Sequence, residues 1–166
     1  MGGLGAAMEG SFGQAAAYRV GVIEPHKLRA PQVAAAVAPL LDRALQFCRG
    51  QYTLTQVAQL IDEGAFVLWG VVGPEGLSGV FVTEIDRAHA SGPVLTVVLM
   101  GGEQSNLWLH LEPVVADYAR ARGCVKMQLI GRRGWSRVLK HWRQVAVVME
   151  TDLEWQQKNH ANTTEH

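Results

Sequence analysis

The sequence predicts an α/β domain built on a mixed, mostly antiparallel sheet with flanking helices, and three observations carry that reading. Pro93 is followed by Val94-Leu95-Thr96-Val97-Val98-Leu99-Met100, an apolar run of strand length without a polar face. A strand of that kind is buried on both sides, which puts 94–100 at the centre of a sheet. Leu107, Trp108, Leu111, Val114, Val115, Tyr118 and Ala119 then recur at helical spacing, predicting a helix over 106–122 that ends at Gly123. The third observation is the stretch Gly73-Pro74-Glu75-Gly76, strong turn chemistry between the apolar runs Ala65 to Val72 and Leu77 to Ile85, which makes them an antiparallel hairpin.

The other elements follow in chain order. Residues 1–17 are rich in Gly and Ala and predict a flexible arm. Tyr18 to Ile23 reads as a first strand ended by Glu24-Pro25. Pro31 suits the first turn of a helix whose stripe is Val33, Val37, Leu40, Leu41, Ala44, Leu45 and Cys48, with Pro39 expected to kink or split it. Thr53 and Gln56 form a capping-box pair for a second helix that carries Val57, Leu60 and Ile61 inward and stops at Gly64. Cys124 to Ile130 reads as a strand parallel to 94–100, reached through the helical crossover. A short helix over Ser136 to His141 and a valine-rich closing strand over Gln144 to Glu150 complete a domain spanning 18–153, and 154–166 reads as a polar tail.

Composition narrows the function. With 166 residues and 48% hydrophobic content the chain suits one domain with a full core. Fifteen basic residues balance fifteen acidic ones, so no global field draws the protein to nucleic acid or an anionic membrane. Cys48 and Cys124 form no CxxC pair and give neither a zinc site nor a disulfide framework, and a reduced cytoplasmic setting fits them. No apolar stretch reaches the length of a membrane span.

Two groups of candidate residues stand out. A buried strand running through Gly101-Gly102 into a helix can aim free backbone N–H groups and the helix dipole at one point, so Gly101, Gly102, Ser105 and Asn106 are candidate phosphate-binding positions. Glu84, Glu103 and His110 fall near the carboxyl end of the same strand, where a general base would sit. The second group is a matter of charge. No acid occurs between Asp117 and Glu150, while Arg132, Arg133, Arg137, Lys140 and Arg143 follow Arg120, Arg122 and Lys126. Trp135 and Trp142 lie among them. Such a basic interaction stretch suits phosphate, nucleic acid or an acidic partner.

The order of elements resembles the GNAT acyltransferase superfamily from about Tyr18 to Leu153. In that family the loop after the central strand, patterned Gln/Arg-x-x-Gly-x-Gly/Ala, holds the pyrophosphate of acetyl-CoA. The corresponding stretch here, Met100-Gly101-Gly102-Glu103-Gln104-Ser105-Asn106-Leu107, departs from that pattern, and Glu103 sets a negative charge beside the phosphate position. The family's late-helix tyrosine, which protonates the departing thiolate, has no counterpart in Ser136-Arg137-Val138-Leu139-Lys140-His141. Ile130-Gly131-Arg132-Arg133-Gly134-Trp135 is similar to degenerate GNAT-like proteins encoded among the structural genes of tailed phages. The resemblance thus implies the fold, together with a non-catalytic structural or interaction role as a phage or prophage virion or assembly component. Its expected partners are further copies of itself or virion proteins, with nucleic acid through the basic stretch, and no cofactor. The alternative is an acetyl-CoA-dependent N-acyltransferase in which the backbone from Gly102 to Asn106 holds the pyrophosphate and Glu84 or Glu103 deprotonates the amine.

Overall fold

A computed structural model describes residues 13–15, 18–102, 107–131 and 134–153. The arm before Gly13 and the tail after Leu153 lie outside the described residues, as do Glu103, Ser105, Asn106, Arg132 and Arg133.

The described strands form one sheet in sequential order: β1 (Gly13–Ala15), β2 (Tyr18–Val22), β3 (Val67–Gly73), β4 (Gly76–Asp86), β5 (Val94–Gly102) and β6 (Lys126–Leu129). Every neighbouring pair is antiparallel except β5 and β6, which are parallel. A parallel pair needs a crossover, and α3 (Leu107–Ala121) supplies it. Between β2 and β3 come a 3₁₀ turn (Pro25–Arg29), α1 (Pro31–Leu45) and α2 (Leu54–Asp62). A short α4 (Trp135–Val138) follows β6.

Strand alternation divides the core into two layers. Val80, Val82, Leu68 and Phe66 face α1 and α2, where Val33, Val37, Leu41, Val57 and Ile61 meet them. Trp69, Val71, Phe81, Leu95 and Val97 face α3, against Leu111, Val115 and Ala119. Trp69 stacks on Phe81 at 5.3 Å, and its indole N–H donates to the buried Thr83 hydroxyl at 3.0 Å, which satisfies both polar groups of that layer. The two-sided apolar run at 94–100 is therefore buried because both of its faces have helices. Thr53 caps α2 as its spacing predicts: its hydroxyl accepts the Gln56 N–H at 3.2 Å, and the Gln56 side chain accepts the Thr53 N–H at 2.9 Å.

Five expectations are corrected. Gly13–Ala15 pairs with Tyr18–Val20, so part of the expected arm is an edge strand. Helix α1 runs unbroken through Pro39 and is not split. Gly101 and Gly102 do not turn the chain; they continue β5, paired with Val80 and Gly79. The late helix is one turn, Trp135–Val138, rather than 136–141. Gln144 to Glu150 forms no strand, because nothing described pairs with it.

Candidate functional site

The sheet opens beside β5. Val94 to Val97 pair with Lys126 to Leu129, and the Ile130 N–H donates to the Val97 carbonyl at 3.1 Å; β6 ends there while β5 continues to Gly102. On the other side of β5 the register jumps, with Val97 opposite Thr83 but Leu99 opposite Val82, so Val98 is an extra residue. Such a bulge bends its strand and increases the local twist. Beyond Val97, β5 therefore presents one edge of backbone N–H and C=O groups with no strand opposite it among the described residues. The two strands part there, which leaves a cleft beside β5 among the described residues.

On the α1/α2 face, one row crosses the foot of this cleft. Glu84 on β4 lies opposite Thr96 on β5, which lies opposite Gln128 on β6, and partners in a sheet project to the same side. Thr96 is buried, and Glu84 and Gln128 are half-buried. Tyr52, from the link between α1 and α2, closes the row: its ring meets Phe66 edge-on at 5.5 Å. Burial first, and then the charge of Asp86, pushes the Glu84 carboxyl above its ordinary value. Burial, then the Glu84 charge and Cys48, push the Tyr52 phenol up against a weaker opposing hydrogen bond from Gln51, so the phenol keeps its proton and remains a donor. The same link contains Arg49 at φ 59, the only described non-glycine residue in the left-handed region, followed by Gly50 at φ 74.

On the α3 side lies a pair that spacing does not show. Nε2 of His141 lies 2.9 and 3.0 Å from the two carboxylate oxygens of Glu112, and the Trp142 indole N–H donates to Oε1 at 3.0 Å. The Glu112 side chain is 15% exposed and that of His141 61%. A largely buried carboxylate thus fixes an exposed imidazole through its Nε2. Glu112 and His141 are 29 residues apart, and only the fold of α3 against the segment after α4 joins them.

The other candidates separate. Gly101 passes close to α1 on one face: a Cβ there would stand 2.3 Å from the Leu40 carbonyl oxygen and 2.9 Å from Ala44 Cβ. Gly102 is the last residue of β5, and His110 falls in the first turn of α3. Arg137, Lys140 and Arg143 are exposed, whereas Trp135 and Trp142 are half-buried against the α3-side core. A groove of about 500 Å³ beside β2 and β3 is lined by Glu24, Phe66, Trp69, Tyr118 and Arg122. Within it the Arg122 guanidinium lies 3.4 Å above the Tyr118 ring, which meets Trp69 edge-on at 4.7 Å. No group of His, Cys, Asp and Glu that could hold a metal occurs among the described residues, and no described helix is long and apolar enough to cross a membrane.

No protein-family model matches the sequence, and no curated protein matches it. Solved structures do. A ribosomal-protein-alanine N-acetyltransferase from Brucella melitensis is 18% identical with a TM-score of 0.57, covering 82% of this chain and 95% of its own. A GNAT family acetyltransferase from Staphylococcus aureus is 7% identical with a TM-score of 0.59, covering 82% and 99%. A predicted acetyltransferase from Clostridium acetobutylicum, solved with acetyl-CoA, is 11% identical with a TM-score of 0.54, covering 83% and 97%. At such identities the likeness speaks for architecture, and the architecture of this chain is the GNAT fold.

Proposed function

We propose that the chain is an acyl-CoA-dependent N-acyltransferase, with the cleft beside β5 as its active site. The observation that carries this reading is the parting of β5 and β6 at Val97, directly beside a half-buried carboxylate with a raised pKa. The neighbouring structures support it, since those named above are acetyltransferases and one holds acetyl-CoA. They favour it over the virion role expected from the sequence.

The residues present fit an acyl-CoA. Its pantetheine arm is extended and carries amides, and the free edge of β5 from Val98 to Gly102 offers alternating donors and acceptors to such a chain. When bound, acyl-CoA supplies an acyl group activated as a thioester. The protein's own groups do the rest. Glu84 takes the proton of the acceptor amine at its carboxylate, and its raised pKa moves the rising limb of the rate to higher pH. Tyr52, whose phenol keeps its proton, donates on the same face to the sulfur that departs as the acyl group passes to the amine.

A thermal-shift titration with acetyl-CoA tests the reading. A ligand at one hundred times its Kd stabilises a fold by about 2.7 kcal/mol, so a saturable rise in Tm is expected. Glu84→Gln should keep that rise while lowering kcat in a thiol-release assay by about 10²–10⁴-fold. A flat titration overturns the proposal and favours a non-catalytic interaction module. That second reading draws on one observation: α4 and the residues after it, 134–143, contain no tyrosine.

A further inference from the structure

The groove beside β2 and β3 has no part in the chemistry at β5. β2 ends at Val22 and β3 begins at Val67, with Val22 opposite Trp69, so the groove opens where these two strands run out. Helix α3 sets out just beyond the cleft end of β5, and its last turn delivers Tyr118 and then Arg122 to the groove. At helical rise Tyr118 stands roughly 16 Å along the axis from Leu107.

The floor of the groove is apolar and its rim is charged. Ile61, Phe66, Leu68 and Trp69 are buried, whereas Glu24 and Arg122 are exposed. These two charges do not neutralise one another, since no ion pair joins them among the described residues. Arg122 sits over the Tyr118 ring and spends one N–H on a long contact, 3.4 Å, with the Tyr118 carbonyl. A guanidinium seated on a ring keeps the other donors of its planar fork available. The half-buried Tyr118 hydroxyl has no hydrogen-bond partner among the described residues, although buried phenols usually find one. Burial first pushes that phenol above its ordinary value; the Arg122 charge opposes this and the Glu24 charge adds to it, ahead of smaller effects from Cys124 and Arg87. The hydroxyl therefore keeps its proton, with a positive and a negative side chain both near it.

We propose that this groove binds a neutral α-amino acid with a large apolar side chain, its carboxylate on Arg122, its ammonium on Glu24 and its side chain over Ile61 and Phe66. The opposite charges of the rim select the class. A simple anion held by Arg122 would face Glu24, and a simple cation held by Glu24 would face Arg122. A zwitterion meets each charge with its opposite. Tyr118 adds a hydroxyl donor for the carboxylate. A volume of about 500 Å³ suits a small-molecule site. The site shares neither Glu84 nor the β5 edge with the cleft, so it stands whichever way the acetyl-CoA titration falls.

Isothermal titration calorimetry on the full chain with L-phenylalanine and with L-leucine is expected to give saturable binding. Hydrocinnamate lacks the ammonium and phenethylamine lacks the carboxylate, and each should bind about tenfold more weakly than phenylalanine. Arg122→Gln and Glu24→Gln change exposed side chains, so Tm should hold while phenylalanine binding falls about tenfold in each. The variants should also cross over in preference. Arg122→Gln is expected to take phenethylamine better than the wild type does, and Glu24→Gln to take hydrocinnamate better. Glu84→Gln should leave every one of these titrations unchanged. Failure of both amino acids to bind at millimolar concentration would overturn the proposal, as would analogues that match phenylalanine or binding indifferent to both rim variants. Binding lost in Glu84→Gln would overturn it too, by moving the amino acid to the cleft.

Discussion

Two valine-rich regions of this chain meet opposite surroundings. In β3 to β5, Val71, Val72, Val80, Val82, Val94 and Val97 are all buried, with helices on both faces and strands on both edges. Residues 145–148 carry valines of the same β propensity, and there the described residues supply neither a pairing strand nor a covering helix. The difference lies in the surroundings rather than in the residues. A strand is a relation between segments, and propensity expresses only a fitness to enter it.

The comparison can be broken most forcefully at the buried end. Leu95→Ala removes a fully buried side chain between β5 and α3 and is expected to cost about 2–5 kcal/mol, whereas Val147→Ala in dilute solution should stay within about 0.5 kcal/mol. Urea denaturation of both variants measures the contrast, and similar losses would show that residues 144–150 are packed against the sheet of their own chain. Glycines sharpen it next. Gly101→Ala drives a methyl into the α1 backbone and should cost about 1–3 kcal/mol, while Gly134→Ala, with nothing within 4 Å of its Cβ, should be nearly neutral.

Those glycines also show where sequence reasoning stops. The helices, the hairpin and the Thr53–Gln56 cap were readable because their signals are local: a period, a turn tetrad, a three-residue spacing. Gly101-Gly102 carries the local signature of a turn, yet it continues β5, and Gly101 admits the close passage of α1, a neighbour some sixty residues earlier that no window contains. The closing strand failed for the converse reason, since its own residues were right and its partner was missing. Glu84 was expected near the carboxyl end of β5 and lies instead opposite Thr96, the third residue of that strand, a register that the sequence does not show. The Glu112–His141 pair was not legible either, because 29 residues separate its halves without a period to link them.

Smaller effects refine the picture. Thr53→Ala removes the acceptor for the Gln56 N–H and should cost about 1 kcal/mol in the same denaturation assay. Glu84 gives the smallest change and the most specific. Because burial and Asp86 raise its folded-state pKa, its favourable contribution is present below the unfolded value and is lost as pH rises through the folded one. Glu84→Gln should therefore match the wild type in acid and gain slightly in Tm toward neutral pH, by under about 2 °C. A loss of Tm toward neutral pH instead would mean that the carboxylate is stabilised by a partner in its charged form.

Val98 gives β5 an odd count where its partner has an even one. Leu95 and Val97 face α3, yet Leu99 and Gly101 face α1, because the surplus residue resets the alternation between them. One strand in this way feeds two cores with the same parity of numbering. It follows that shortening the chain by Val98 alone would leave every other side chain of β5 on its present face and subtract only the bend. Packing and aperture, entangled at nearly every other position in the sheet, come apart at this single residue.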